Sequence, residues 1–72
     1  MKRTQHRADF LVARQDGIGI LTPMNRAARQ WLAQHVQYDP WQVYAGGVAL
    51  EARMLEPILE AIRTANLTWK PE

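Results

Sequence analysis

Two short apolar runs lie on either side of an Asp-Gly pair near the start of the chain. Residues 10–14 and 18–22 are mostly apolar and partly β-branched, and Asp16-Gly17 supplies the positive φ that a tight turn between two strands needs. Gly19, inside the second run, indicates either a bulge or a place where another element packs closely. The pattern predicts a β-hairpin that pairs Arg14 with Gly19, Ala13 with Ile20 and Val12 with Leu21.

The segment 22–36 has apolar residues three and four positions apart, which is the spacing of one face of an α-helix. Thr22 is a good capping residue and Pro23 suits the first helical position, so we predict that the helix starts there. Arg26 and Arg29 fall on the opposite, polar side. The residues predicted to face inward, onto the hairpin, are Met24, Ala27, Ala28, Trp31, Leu32 and His35.

The second half of the chain repeats this alternation of strand and helix. Residues 48–51 are predicted to form a strand, and residues 52–66 a second helix. Pro57 has no backbone N–H to donate, so we expect it in the first turn, with the helix starting within residues 53–56. The inward-facing positions of this helix are Met54, Leu55, Ile58, Leu59 and Ile62.

The second helix is expected to end at Asn66 in the left-handed conformation, and residues 67–70 to form a last strand. The order ββαβαβ predicts an α+β fold: a two-layer sandwich with both helices on one face of a four-stranded mixed sheet. Strands joined by a single helix should run parallel. We expect one α/β domain at residues 9–72, preceded by a flexible basic tail at residues 1–8.

A different interpretation of residues 41–51 is that they form a second hairpin turning at Gly46-Gly47. Two copies of a hairpin–helix unit would explain why apolar residues and glycines recur at an offset of thirty residues. A shared hydrophobic period produces much of the same match by accident, so we favour a single strand. The aligned pairs include Gly17 with Gly47, Ile20 with Leu50, and Leu32 with Ile62.

The composition limits how the fold can be stabilised and where it works. With 72 residues and no cysteine, the chain has neither disulfides nor thiolate zinc sites, so packing or self-association must supply the stability. The basic opening MKRTQHRADF is not followed by the apolar region of a secretory signal, and no apolar run approaches the roughly 20 residues of a membrane span. We therefore expect a cytoplasmic protein.

The residue types of catalytic sites are scarce. The chain has no serine and no cysteine, and neither His6 nor His35 has a partner at ligand spacing. Glu56 and Glu60 share a helix face, but Arg53 and Arg63 lie three positions away from them and predict ordinary ion pairs. We expect no enzymatic activity, no metal and no cofactor.

The charges are distributed unevenly, which raises nucleic-acid binding as an alternative function. The net charge is +2, with +4 in residues 1–36 and −2 in residues 37–72. A basic surface would bind phosphates without reading sequence, although no known nucleic-acid-binding motif accompanies it. Its candidate residues are Lys2, Arg3, Arg7, Arg14, Arg26 and Arg29.

The segment YDPWQVYAGG, residues 38–47, places three aromatic residues around an Asp-Pro break. Tyr38, Trp41 and Tyr44 are of the types that contribute most to protein–protein interfaces. We predict that they form a contact surface for a protein partner of unknown identity. Trp41 has an alternative role as a lid over the open end of a small core. The edge strands offer a second contact, since pairing across one edge would give a homodimer.

The stretches GIGILTPMNRAARQWLAQHV and GGVALEARMLEPILEAIRTANLTW together resemble an uncharacterised group of short proteobacterial and phage-borne proteins. The shared pattern is a Gly-containing strand, Leu-x-Pro, an Ala-Ala-x-x-Trp helix, a strand with glutamate and an Ile-rich helix. The resemblance implies the same small α/β fold and assigns no activity and no functional residue. We predict a non-enzymatic protein–protein interaction module of the kind encoded by phages or mobile elements.

Overall fold

The computed structural model describes residues 8–44 and 46–72, and these form a sheet covered by two helices. The sheet is mixed and has the strand order β3-β4-β2-β1-β5, with β5 parallel to β1 and the other neighbours antiparallel. The elements are β1 (Phe10–Gln15), β2 (Ile18–Pro23), α1 (Arg26–His35), a 3₁₀ turn (Pro40–Gln42), β3 (Val43–Tyr44), β4 (Gly47–Glu51), α2 (Ala52–Thr64) and β5 (Trp69–Pro71).

The predicted α+β class with a mixed sheet is confirmed, whereas the predicted four strands are five. The predicted parallel arrangement of the strands flanking α1 is wrong for β2 and β4, which pair antiparallel. The extra strand β3 accounts for the difference, because it reverses the chain direction before β4 begins. The predicted tail lies outside the described residues except for Ala8, which is buried.

The first hairpin has the predicted register, with Arg14 opposite Gly19 and Ala13 opposite Ile20. Asp16 and Gly17 form its turn with φ angles of 52° and 79°. The strand runs through Gly19 without a bulge, and a Cβ there would lie 2.6 Å from Leu55 Cδ2. Gly19 is therefore the place where α2 packs closely against the sheet.

A second hairpin, β3 and β4, is present where a single strand was predicted at residues 48–51. Val43 pairs with Val48 and Tyr44 with Gly47, so Gly47 belongs to the strand and the turn is not at Gly46-Gly47. The second hairpin is not a repeat of the first at an offset of thirty residues. That offset aligns Ile20, which faces away from the helices, with Leu50, which faces them. A shift of one residue along a strand exchanges its two faces.

Helix α1 begins at Arg26, so the prediction of a Thr22 cap and a Pro23 start is wrong. Asn25 is the N-cap: its side-chain oxygen accepts a hydrogen bond of 2.8 Å from the backbone N–H of Ala28. Pro23 instead ends β2 opposite Phe10. Met24 and Ala27, predicted to face inward, are exposed, as is His35.

Helix α2 begins at Ala52, which places Pro57 in the second turn and not the first. The helix continues through this proline at the loss of the one hydrogen bond that the N–H of residue 57 would give to the carbonyl of Arg53. Asn66 follows the helix with φ 65°, and its predicted left-handed conformation is confirmed. Met54, predicted to face inward, is 46% exposed.

Both helices share one hydrophobic core with the same face of the sheet, as predicted. Leu32 of α1 and Leu59 of α2 belong to the same buried cluster. Trp31 packs at its edge, with its ring 6.0 Å from that of Phe10 in an edge-to-face arrangement. The cluster consists of Phe10, Val12, Leu21, Ala28, Leu32, Val36, Val48, Leu50, Leu55, Leu59 and Ile62.

Asp9, just before β1, connects three elements. Its carboxylate accepts hydrogen bonds from Asn25 Nδ2 at 2.8 Å and from the backbone N–H of Thr68 at 2.9 Å. Its backbone carbonyl accepts a third from the N–H of Met24 at 2.7 Å. The side-chain amide of Asn25, with smaller contributions from Thr68, lowers the pKa of the Asp9 carboxyl below its ordinary value of 3.8. Asp9 thereby fixes the start of α1 and the start of β5 against β1.

Candidate functional site

Both helices of the described residues lie on one face of the sheet, and neither covers the second face. Side chains alternate along a strand, so residues next to the core residues point to this opposite face. Residues that are paired across neighbouring strands point to the same face. The register therefore shows to which face each remaining strand residue points. We call it the open face; its residues are Leu11, Ala13, Gln15, Ile18, Ile20, Thr22, Tyr44, Gly47, Ala49, Glu51 and Lys70.

The open face is apolar in the middle and unevenly contoured. Ile20 lies at the centre of β2, the middle strand, between Ala13 and Ala49 on the neighbouring strands. Gly47 has no room for a side chain, because a Cβ there would lie 2.5 Å from the hydroxyl oxygen of Thr22. These small residues leave a shallow surface beside the larger side chains.

Trp41 borders the open face and is 80% exposed. It belongs to the 3₁₀ turn, and the next residue anchors that turn: Gln42 Oε1 accepts from the N–H of Asp39 at 2.8 Å, while Gln42 Nε2 donates to the carbonyl of Ala49 at 3.1 Å. The backbone at Trp41 is thus tied to β4, but its ring does not cover the core. Trp41 is therefore not a lid over the core.

The three aromatic residues of the predicted contact surface do not lie together. Trp41 and Tyr44 line one concavity of about 390 Å³ on the open face, together with Ile18 and Ile20. Tyr38 lies on the helix side of the sheet, where its neighbours include Leu32 and Val48. The structure therefore combines Trp41 and Tyr44 with the open face and separates Tyr38 from both.

Most open-face residues were not among the candidates from the sequence, although a signal for them is present. Ile18, Ile20 and Leu21 are apolar on both sides of one strand, and so are Leu11 and Val12 on its neighbour. A strand with polar residues on one side has one solvated face, whereas apolar residues on both sides are typical of a strand that is covered on both faces. In this sheet, α1 and α2 cover only one of the two faces.

The predicted basic surface is not assembled among the described residues. Arg14 lies near the first hairpin turn and donates to Glu56 of α2 at 3.0 Å. Arg26 and Arg29 are exposed near the start of α1, which follows the opposite end of β2. Strand geometry puts about 13 Å between Gly19, the partner of Arg14, and the far end of β2. The other candidates, Lys2, Arg3 and Arg7, lie outside the described residues.

Arg53 and Glu56, predicted to pair with each other within α2, take other partners in the described residues. Glu56 pairs with Arg14, while Arg53 pairs with Glu51 at 3.0 Å. His35 stacks on Trp31 with ring centres 4.7 Å apart, and its Nδ1–H donates to the Trp31 carbonyl at 2.9 Å. These side chains serve local structure and form no common site.

Both edges of the sheet are poorly suited to the predicted pairing with another strand. The edge strand β3 has only two residues. At the other edge, Thr68 and Glu72 hydrogen-bond to β1, so the alternating residues Trp69 and Pro71 present their backbone outward. Pro71 has no N–H to donate there.

Comparisons of the chain with protein-family models, with curated proteins and with solved structures find no match. Within residues 8–44 and 46–72, neither helix has the length and apolar character needed to cross a membrane.

Proposed function

We propose that the chain is a non-enzymatic protein–protein interaction module that binds its partner through the open face, with Trp41 and Tyr44 as the principal contacts. The observation that supports this proposal best is the combination of an apolar sheet face that neither described helix covers and a tryptophan that is 80% exposed at its border. Large exposed apolar patches on small domains are typical of binding surfaces.

Trp41 has the properties of an anchoring residue. A tryptophan side chain presents about 250 Å², so about 200 Å² of Trp41 faces solvent. At about 25 cal/mol per Å², complete burial would contribute up to roughly 5 kcal/mol, from which the costs of association are subtracted. The anchored 3₁₀ turn reduces those costs because its backbone is already ordered before binding.

Replacement of Trp41 by alanine tests the proposal, with Tyr38→Ala as the matched control on the helix side. Trp41→Ala should lose the proteins that the wild-type chain captures from a lysate of its native host, while Tyr38→Ala retains them. The free energy of unfolding of Trp41→Ala should fall by only about 1 kcal/mol, since about 50 Å² of the side chain is buried.

Two results would contradict the proposal. Equal capture by wild type and Trp41→Ala would mean that the binding surface lies elsewhere. A loss of 3 kcal/mol or more in the free energy of unfolding, at the level of a core aromatic residue, would mean that the ring packs inside.

A further inference from the structure

We infer that the partner on the open face is a second copy of this chain, so that two sheets stack face to face with the helices outside. This inference rests on the proposed function and names the partner. The five strands, two to six residues long, together cover about 350 Å² at ordinary strand spacing. The exposed part of Trp41 adds about 200 Å². Two such surfaces bury roughly 1,100 Å², which exceeds the 1,000 Å² or so that a specific interface needs.

The open face is complementary to the open face of a second copy when the two are related by a two-fold rotation axis. This axis runs parallel to the strands and lies above β2. Such an axis brings Ile20 onto Ile20 of the second copy and exchanges the two edges of the sheet. Gly47 and Leu11, which lie in one row with Thr22 between them, then face each other across the interface. A glycine opposite a leucine fits the close packing that stacked sheets require.

The charges of the open face support the same arrangement. Lys70 lies at the β5 edge in the row that begins with Tyr44 at the β3 edge. The axis places each Lys70 over Tyr44 of the second copy, as in a cation–π pair. Glu51 of one copy lies opposite Gln15 of the other. Among the described open-face residues, no two like charges therefore face each other across the interface.

Sedimentation equilibrium of the wild-type chain tests the inference, with two acidic variants of matched exposure. Ile18 is 41% exposed on the open face, and Met54 is 46% exposed on α2. Wild type and Met54→Asp should reach twice the mass of the 8.3 kDa chain at high micromolar concentration. Ile18→Asp should raise the dissociation constant at least tenfold, because it buries an unpaired charge in the interface.

Cysteine cross-linking gives the answer even if Ile18→Asp does not fold. The chain has no cysteine of its own, so Ile20→Cys introduces one thiol at the predicted axis and Gln30→Cys one on the exposed side of α1. Because stacked sheets lie about 10 Å apart, a short bifunctional maleimide should link two chains of Ile20→Cys, and not of Gln30→Cys, into a covalent dimer. Equal cross-linking of both variants would contradict the inference.

A wild-type chain that stays monomeric at every concentration overturns the inference. If Trp41→Ala then still abolishes capture, the proposed function stands with a different protein on the open face. If the open face is protected from labelling in that monomer, another part of the same chain covers it, and both proposals fail.

Discussion

Replacing Asp9 with asparagine should weaken the attachment of α1 and β5 to β1. The carboxylate accepts from Asn25 Nδ2, from the backbone N–H of Thr68 and, at 3.2 Å, from the Thr68 hydroxyl. Asparagine keeps the shape of the side chain but presents an NH₂ group where one of these donors points. The substitution therefore removes the negative charge and at least one acceptor without leaving a cavity.

The expected loss follows from these contacts. A hydrogen bond to a charged group contributes about 1.5–3 kcal/mol, and the Asp9 site is only half-buried, so we expect a total of about 2 kcal/mol at pH 7. For a domain of this size that corresponds to roughly 10 °C in Tm. Asp16→Asn is the control, because the hairpin position with φ 52° accepts asparagine equally well.

The pH dependence distinguishes the charge from the shape. Because the pKa of the Asp9 carboxyl is lowered in the folded chain, its contribution is complete above the ordinary value of 3.8 and is lost as the pH falls through the folded value. Urea unfolding of wild type and Asp9→Asn should differ by about 2 kcal/mol at pH 7, and this difference should shrink at a pH below 3.8 as the carboxyl becomes protonated. A difference that is the same at both pH values would refute an electrostatic role for Asp9.

Two further substitutions test the open face and its border by urea unfolding. Gly47→Ala should destabilise the chain by about 1–2 kcal/mol, because the new Cβ would lie 2.5 Å from Thr22 Oγ1 and 3.0 Å from the Leu21 carbonyl. An unchanged urea midpoint would mean that β2 and β4 move apart there without cost. Gln42→Ala should cost about 1 kcal/mol through its lost bond to the Ala49 carbonyl, and no loss would mean that the 3₁₀ turn needs no side-chain anchor.

The first hairpin is predictable from the sequence because its determinants are local. Asp16-Gly17 fixes a two-residue turn, and the turn fixes the register of every pair that follows, down to Val12 with Leu21. The left-handed conformation at Asn66 is predictable for the same reason.

The second hairpin and the start of α1 depend on distant residues. A two-residue strand such as Val43–Tyr44 is too short to show a period, and it forms because β4 offers an edge to pair with. Thr22 and Pro23 fit a helix start locally, but pairing of Pro23 with Phe10 and the bonds of Asp9 to Met24 and Asn25 keep the chain extended until residue 25. Local propensity gives way to tertiary contacts there.

The candidate site was predictable only in part. An aromatic residue after an Asp-Pro break marks Trp41 as a surface contact, and the structure places it at the border of the open face. Tyr38 stands just before the same Asp-Pro break, yet it lies on the helix side of the sheet, near Leu32 and Val48. The face on which an aromatic residue lies can be predicted only when the strand pairing is known.

Thiol labelling of two neighbouring positions in β1 tests most directly that helices cover one face of the sheet and leave the other open. Val12 is 2% exposed beneath the helices, and Ala13 lies on the open face. At a concentration low enough to keep the chain monomeric, Ala13→Cys should react rapidly with a thiol reagent and Val12→Cys only as fast as the chain unfolds. Equal protection of both cysteines, or faster reaction at Val12→Cys, would contradict the account.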